Sequence, residues 1–471
     1  MRRVWLNLMA VLLPLSFVWA LTNPMFASPD EPTHIARAQG FSRFDFSAPY
    51  ETDGLPMNGA DCYRFDANVT ADCADLDWGA NGTEVNTKTR DYPPLFHAVA
   101  AVPALFASGL GGAYVMRLWM AVVCSSLLAW AGALMIRRGG GRWPLAGFVI
   151  ALTPMAVFVT STVNPSGITV AFSALTVGGV VARSIHRDRS AGPLWAVGLG
   201  VCGLLLVRRD SVLWVVILTV ALAPIALADR GLTAFFRRLD PRRWSTRGKS
   251  TALLGVAGLV MIVAYWVGPI VHRFFTRGEV GGNGSRWQGL EVMRIYLDQM
   301  FGTFGWIDTF IGQEATAVLS GLSLAVILVG LSGGRRNLVV AEVVSLIALL
   351  TTPVAFGFFL YPYFQGRYLL PIWVIVAVVS AFAVHSSDLG PRMGQRLAVI
   401  VMVLWGLVHI WSLIQNLRRY AVGFRGTWRF ASDSSWQPPM MSNVVALFLI
   451  AAMSAWVAWS MRRLVRFADG A

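Results

Sequence analysis

The chain has 471 residues, of which 56% are hydrophobic and 14% charged, and its formal net charge is +14. Soluble domains carry about 25% charged residues, so this composition excludes an ordinary soluble protein as well as a disordered or collagen-like chain. The apolar residues form long runs, unlike the alternation of a porin-type barrel, and the arginines lie between the runs instead of forming a nucleic-acid-binding stripe. The sequence predicts a polytopic all-α membrane protein.

About twelve runs are long and apolar enough to cross the hydrocarbon layer, which is roughly 30 Å thick, as helices. They begin at Val4, Leu118, Trp143, Ile168, Pro193, Ser211, Thr251, Thr316, Leu338, Tyr368, Leu397 and Asn443. The first run follows Arg2 and Arg3, a start that it shares with signal peptides. It reaches Leu21 and is nearly long enough to span, so we expect it to be retained as the first transmembrane helix.

The predicted orientation of the chain depends on whether a further apolar segment, residues 93–110, crosses the membrane. As a full span it would place Arg137, Arg142 and Arg183 outside, against the positive-inside rule. We therefore interpret it as an interfacial or re-entrant helix. Both termini are then cytoplasmic, and three long loops lie outside: residues 22–92, 272–315 and 415–442.

The first outer loop differs in composition from the rest of the chain. It contains 12 of the 25 acidic residues and only five basic ones. Long loops on a rigid scaffold often bind or catalyse. Cys62 and Cys73 share this loop, and its oxidising surroundings predict a disulfide between them.

The segment Ser28-Pro29-Asp30-Glu31-Pro32-Thr33-His34 opens this loop directly after the first span. Two carboxylates and an imidazole at the membrane surface can supply a general base and an orienting partner, so Asp30, Glu31 and His34 are candidate catalytic residues. An alternative is structural: Asp30 before Glu31 and Pro32 is also typical of a helix start. The same three side chains offer a weaker hypothesis of a divalent metal site, because the other histidines are scattered.

Several basic residues on the outer side suit a lipid phosphate, whose oxygens match arginine and lysine donors. Lys88 and Arg90 precede the interfacial helix, where simple anchoring is the alternative. Arg367 is the only charge among the aromatics of YPYFQGRYLLP, between two spans, and such an arginine usually has a partner. Arg208 and Arg209 form another outer cluster with Asp210, for which an internal ion pair is the alternative.

Four further polar or aromatic residues are candidate contacts to a sugar or an acceptor. Asn164 lies in NPS at the outer end of the third span, and Gln365 lies beside Arg367. Trp306 and Asp308 belong to FGTFGWIDT, whose aromatics are typical of a membrane belt as well as of a sugar-stacking surface.

The sequence contains five short motifs that together resemble the bacterial domain-of-unknown-function 2142 family of membrane proteins. The motifs are PDEPTH, YPPLFH, TPM with NPSG, FGWIDT and QGRYLLP. That family is similar to GT-C-type glycosyltransferases, which transfer a sugar from a polyprenyl-phosphate donor at the outer face. The resemblance implies Asp30, or failing it Glu31, as the base, with His34 orienting it or contacting the acceptor. Arg367, with Arg90 or Lys88, would neutralise the lipid phosphate, and the sugar carbon would be inverted.

The resemblance also implies partners, location and organisation. The expected partners are a polyprenyl-phosphate sugar donor, a glycan or lipid acceptor and membrane lipids, in the bacterial inner membrane. No cofactor is required and a divalent metal is permitted, although Asn164 stands where some GT-C enzymes have a second acid. The predicted regions are 1–21, the first span; 22–117, the outer loop with its interfacial helix; 118–270, spans two to seven; 271–315, the second outer loop; and 316–471, the last five spans.

Two other functions remain open at this stage. A transporter or flippase of lipid-linked glycans would explain the many spans but predicts ionisable residues within the membrane. A non-catalytic partner in envelope assembly predicts that Asp30 is replaceable.

Overall fold

The computed structural model describes residues 1–46, 50–51, 58–75, 84–85, 89, 92–228, 293–360, 364–387 and 391–470. This part of the chain is all-α apart from two short antiparallel pairs, β1 (Tyr50–Glu51) with β2 (Glu84–Val85) and β3 (Thr303–Phe304) with β4 (Thr309–Phe310). Its helices are α1 (Arg2–Thr22), α2 (Glu31–Ser42), α3 (Leu95–Ala100), α4 (Gly109–Met135), α5 (Trp143–Ala151), α6 (Pro154–Thr160), α7 (Pro165–Ser184), α8 (Gly192–Val207), α9 (Ser211–Leu227), α10 (Met293–Gly302), α11 (Gln313–Gly333), α12 (Arg336–Leu360), α13 (Leu370–His385), α14 (Pro391–Val422) and α15 (Asn443–Asp469).

The predicted all-α membrane class is confirmed. Within the described residues, eight helices are long and apolar enough to cross a membrane, or nine if the bent pair α5 and α6 is one span. Helices α8 and α9 are apolar but shorter, with 16 and 17 residues. The run predicted to begin at Thr251 lies outside the described residues, so the count of twelve spans stays a prediction.

The span predicted from Trp143 is a broken helix. It bends by 64° between α5 and α6. Pro154 cannot continue a helix because it lacks an N–H group, and Thr153 caps the new helix by accepting a hydrogen bond from the Ala156 N–H. The carbonyl of Leu152, freed by the break, accepts hydrogen bonds from Trp405 Nε1 and His409 Nε2 of α14. The interruption is therefore satisfied inside the bundle, as membrane burial requires.

The segment predicted to be interfacial, residues 93–110, forms two short pieces, α3 and the 3₁₀ helix Val102–Leu105. Neither is long enough to span. Helix α4 then begins at Gly109, earlier than the predicted start at Leu118, so Arg117 lies inside the helix instead of at its head. That position is tolerated because Arg117 is fully buried against an acidic partner, described below.

Helices α7 and α13 form the centre of the bundle. Their apolar windows are 94% and 89% buried inside the protein, whereas that of α15 is 22% buried. Helix α13 packs against α5, α7, α9, α11 and α12, and α1 packs between α4 and α15. At one end of the bundle, an ion pair links the arginine-containing turn before α5 to the end of α15. Arg142 Nη2 lies 2.8 Å from Asp469 Oδ2. The opposite end carries all the candidate site residues that the structure describes.

The described part of the first outer loop is fastened to α14. Cys62 and Cys73 form a disulfide that links the 3₁₀ helices Asp61–Tyr63 and Ala71–Cys73. Arg419, on α14, is fully buried and donates to three carbonyl oxygens of this loop, those of Tyr63, Asp66 and Val69. This described part of the loop is therefore fixed to the end of α14.

Candidate active site

The irregular segment between α1 and α2, residues 23–30, is held in place by side chains from distant parts of the chain. Arg117 donates to two of its carbonyl oxygens, and three other side chains donate to one each. The bonds are Arg117 to Asn23 and Pro24, Tyr63 to Met25, Trp306 to Phe26 and Asn164 to Pro29, at 2.7–2.9 Å. Irregular backbone fixed so completely is typical of a site that positions one side chain.

Asp30 ends this segment in a strained conformation. Its φ of 62° is left-handed, a region that aspartate and asparagine tolerate better than other non-glycine residues. It precedes the first residue of α2, as the sequence suggested for a helix start, but its side chain makes no capping hydrogen bond. The carboxylate is therefore available for a contact outside α2. Backbone strain of this kind is concentrated at functional sites.

Asp30 forms an ion pair with Arg367, 337 residues later. Arg367 Nη2 donates to Asp30 Oδ2 at 2.8 Å. The Asp30 side chain is 50% exposed, whereas that of Arg367 is 4% exposed. Two of the Arg367 donors, Nε and Nη1, are buried without a hydrogen-bond partner among the described residues. The pair thus joins a buried cation that has unused donors to a carboxylate that solvent reaches.

Arg367 is positioned by the 3₁₀ helix Gly366–Leu369, immediately before α13. The Gly366 N–H donates to Gln299 Oε1 at 2.7 Å, which fastens this turn to α10. Gly366 lies so close to α10 that a Cβ atom would be 2.0 Å from the Tyr296 carbonyl oxygen. Only glycine, which has no Cβ atom, can lie this close to the backbone of α10.

We expect Gly366→Ala to push Arg367 out of place and to destabilise the protein by about 1–3 kcal/mol, the usual cost of overpacking. The neighbouring atoms are backbone atoms of α10, which cannot yield alone. The matched control is Gly321→Ala on α11, where an added Cβ meets nothing within 4 Å. Thermal unfolding in detergent tests this, and equal melting temperatures for the two variants would contradict it.

A second arginine stands beside the first. Arg208, in the turn between α8 and α9, is bound by both oxygens of Asp210 at 2.8 Å. The Tyr368 ring lies near both cations, with its centroid 4.5 Å from Arg208 Cζ and 5.3 Å from Arg367 Cζ. Arg208 Nη1 also donates to Ser166 Oγ at the start of α7, at 3.3 Å. Together with Asp30, these residues bring four separate parts of the chain to one point.

The charge state of Asp30 follows from these neighbours. Partial burial would raise the pKa of Asp30, but the positive charges of Arg367 and Arg208 outweigh that effect and lower it. Asp30 is therefore an ionised carboxylate at neutral pH, able to accept a proton or to bind a cation.

His34, one turn after Asp30, is paired with a second histidine. Its Nδ1 lies 3.1 Å from Nε2 of His97 on α3, and both rings are buried. Burial lowers the pKa of His34 to about 3, despite the nearby Asp30, and burial with the charge of neighbouring groups lowers that of His97 as well. Both rings are neutral at pH 7, so one nitrogen of the contact donates and the other accepts.

We expect these histidines to make the protein acid-sensitive. Between pH 6.5 and about 3 the unfolded chain takes up a proton at His34 that the folded protein does not, so stability falls as the pH falls. The slope contributed by His34 is at most about 1.4 kcal/mol per pH unit. Thermal unfolding at pH 7 and pH 5 measures it, and a His34→Gln/His97→Gln variant should lose part of the slope. An unchanged slope would contradict this account.

Glu31 lies beside Asp30 in sequence but points into the protein. It is fully buried, and its oxygens accept from Arg117 Nε at 2.8 Å, from Arg117 Nη2 at 2.6 Å and from the Val163 N–H at 3.1 Å. Arg117 also donates to the Ala20, Asn23 and Pro24 carbonyls. Through Arg117, Glu31 therefore fixes the backbone next to Asp30, and its own carboxylate is closed to solvent in this arrangement.

The predicted sugar and acceptor contacts lie in different surroundings. Gln365 lies beside Arg367 and lines a cavity of about 10 Å³ with it. Asn164 caps α7 and donates to the Pro29 carbonyl, and Trp306 donates to the Phe26 carbonyl, so both hold the segment that ends at Asp30. Asp308 is buried and bound by Arg419 at 3.1 Å. These three make contacts within the protein.

Of the five basic residues predicted to bind a phosphate, the structure describes three. Arg208 and Arg367 meet at the site. Arg209 is half-buried next to Arg208. Lys88 and Arg90 lie outside the described residues. Among the residues that the structure does describe, no group of three or more histidine, cysteine, aspartate or glutamate side chains is arranged to hold a metal ion.

Sequence reasoning missed several partners that the structure reveals: Arg117 for Glu31, His97 for His34, Arg419 for Asp308, and Tyr368 between the two site arginines. A usable signal existed for the first of them. Buried charges need partners, so Glu31 and Arg117 on one side of the membrane were a plausible match.

Comparison with known proteins gives a family and a fold. The model of a family described as "Predicted membrane protein (DUF2142)" matches residues 13–376. No protein with a curated description matches the sequence significantly. Among solved structures, the fold is similar to the crystal structure of ArnT from Cupriavidus metallidurans bound to undecaprenyl phosphate, with a TM-score of 0.51 and 14% sequence identity. The alignment covers 99% of this chain and 76% of that one.

Proposed function

Because this chain belongs to the DUF2142 family of predicted membrane proteins, and shares its fold with a protein crystallised with undecaprenyl phosphate, we propose that it is a membrane glycosyltransferase of the GT-C type. It takes a sugar from a polyprenyl-phosphate donor and passes it to a glycan or lipid acceptor of the bacterial cell envelope. The observation that carries this proposal is the Asp30–Arg367 pair, a half-exposed carboxylate beside a buried guanidinium with unused donors.

Asp30 and Arg367 suit the two groups that react in a sugar transfer, the acceptor hydroxyl and the leaving lipid phosphate. Asp30 takes the proton from the acceptor hydroxyl while the hydroxyl oxygen bonds to the anomeric carbon of the sugar. The bond from that carbon to the phosphate oxygen breaks, and its electron pair leaves on the lipid phosphate. Arg367 stabilises the added negative charge. A single displacement with one base inverts the anomeric carbon.

The neighbouring residues support these roles. Arg208 keeps a second positive charge close to the leaving phosphate, although Asp210 already accepts two hydrogen bonds from it. Neutral His34, buried beside His97, orients Asp30, and Lys88 and Arg90 supply further phosphate contacts from the first loop. The reaction requires no cofactor.

The choice between Asp30 and Glu31 as the base follows from their surroundings. A general base must come within hydrogen-bond distance of the hydroxyl that it deprotonates. Asp30 is half exposed, whereas Glu31 is fully buried and both its oxygens are bound by Arg117. We therefore assign the base to Asp30 and a supporting role to Glu31.

The experiment is transfer by the purified protein in lipid nanodiscs, supplied with radiolabelled polyprenyl-phosphate sugars and envelope acceptors. We expect label to move to an acceptor, and Arg367→Gln to abolish the transfer. The matched control is Arg425→Gln, which changes an exposed arginine on the same side of the bundle. Equal transfer by the two variants would remove Arg367 from the site, and no transfer by the wild type with any donor would reject the proposal.

A transporter of lipid-linked glycans is the second candidate, and one observation favours it. Glu342, in the second turn of α12, is fully buried within a membrane-spanning helix, a position expected of ion-coupled transport. In that case Glu342→Gln would stop movement of a labelled lipid-linked glycan between leaflets. A glycosyltransferase would retain its transfer activity in the same variant.

A further inference from the structure

We propose that Arg367 exchanges partners during the reaction: the phosphate of the arriving donor takes Arg367 from Asp30, and this exchange releases the base. The inference rests on the proposed function and adds an order of events to it. The lipid phosphate binds first, and the acceptor hydroxyl is deprotonated only when a donor is in place.

Asp30 occupies the one Arg367 nitrogen that has hydrogen-bond partners among the described residues. The Nε and Nη1 atoms of Arg367 have almost no accessible surface, while Nη2 binds Asp30 at 2.8 Å and lies 3.4 Å from Tyr368 Oη. The cavity that Arg367 lines, with Pro29, Gln299 and Gln365, measures about 10 Å³. That space admits one water molecule at most and cannot hold a phosphate group. An incoming phosphate therefore has to approach Arg367 from the side of Asp30.

The two arginines of the site differ in how firmly they are held. Arg208 makes two bonds to Asp210 through Nε and Nη2, the bidentate geometry that gives the strongest pairing. Arg367 makes one bond to Asp30, whose carboxylate is half exposed and sits on strained backbone. A phosphate oxygen with greater negative charge competes successfully for the single bond.

The exchange also explains how a paired carboxylate becomes a base. While Asp30 is bound to Arg367, the adjacent positive charge favours the ionised form and makes the carboxylate a weak proton acceptor. Once a phosphate neutralises Arg367, that effect is removed and Asp30 accepts a proton more readily. The enzyme would then avoid activating an acceptor or water in the absence of a donor.

The test measures binding of a polyprenyl monophosphate without a sugar to the full-length protein in phosphatidylcholine nanodiscs. Asp30→Asn removes the competing charge, and asparagine tolerates the left-handed backbone, so the variant keeps the fold. We expect it to bind the lipid about tenfold more tightly than the wild type, the effect of losing one competing charged hydrogen bond. The control is Asp61→Asn, an exposed residue of the same loop, which should not change the affinity.

Salt separates partner exchange from general electrostatic attraction. A long-range effect of one lost negative charge disappears at about 0.5 M NaCl, whereas a direct competition at Arg367 persists. Equal or weaker binding by Asp30→Asn, or a gain that vanishes in salt, would overturn the exchange. If Arg367→Gln still loses binding in that case, the phosphate site stands and only the exchange fails. Failure of the wild type to bind the lipid would overturn both proposals.

Discussion

Replacing Asp30 with Asn is expected to lower sugar transfer by about 10²–10⁴-fold, the usual contribution of a general base. The substitution keeps the size and the left-handed backbone preference of the side chain but removes its ability to accept the proton. Its buried neighbours, Glu31 and Arg117, are untouched, so the thermal stability should stay close to that of the wild type. The measurement is the initial rate of label transfer at saturating donor.

Two comparisons make this result interpretable. Asp61→Asn, an exposed change in the same loop, should retain the wild-type rate. Because the partner exchange predicts tighter donor binding by Asp30→Asn, the loss should appear in kcat and not in donor affinity. Retained transfer by a well-folded Asp30→Asn protein would reject Asp30 as the base. Transport of a lipid-linked glycan that survives the change would favour the flippase.

Glu31→Ala is expected to destabilise the protein by about 3–5 kcal/mol, because it leaves Arg117 charged and unpaired inside the bundle. That loss is a large part of the total stability of a typical domain. We expect low yield in the membrane and a clearly lower melting temperature in detergent. Transfer activity should fall with the amount of folded protein.

The matched control is Asp469→Asn at the other end of the bundle. Its pair with Arg142 has the same type of geometry at 2.8 Å, but the side chains are 32% and 25% exposed. Exposed pairs contribute about 0–1 kcal/mol, so this variant should melt near the wild type. Replacing both Glu31 and Arg117 with apolar residues should restore only part of the loss, because the backbone groups that the pair satisfies stay unpaired. Equal melting temperatures for Glu31→Ala and Asp469→Asn would contradict this account.

The helical class and the membrane-crossing segments were predictable because apolar length is a local property of the sequence. The start of α2 at Glu31 was predictable for the same reason, since aspartate followed by a proline in the first turn marks a helix start. The break at Thr153 and Pro154 has a local signal as well, although composition alone indicated one continuous span.

The pairing of the site residues was not predictable to the same degree. Asp30 and Arg367 were each candidates, but nothing in the sequence indicates that side chains 337 positions apart make contact. Asp308 and Trp306 were candidate sugar contacts because their residue types suit that role, and the structure gives them hydrogen bonds to Arg419 and to the Phe26 carbonyl. Which polar residue faces a substrate depends on how the helix ends meet, a long-range property of the packing.

The most direct test of the central claim is an experimental structure of the Asp30→Asn protein with a bound polyprenyl-phosphate sugar. We expect the phosphate within hydrogen-bond distance of the Arg367 guanidinium, the anomeric carbon facing residue 30, and the Glu31–Arg117 pair unchanged. A phosphate bound away from Arg367, for example among the arginines at the opposite end of the bundle, would contradict the proposed site and the mechanism built on it.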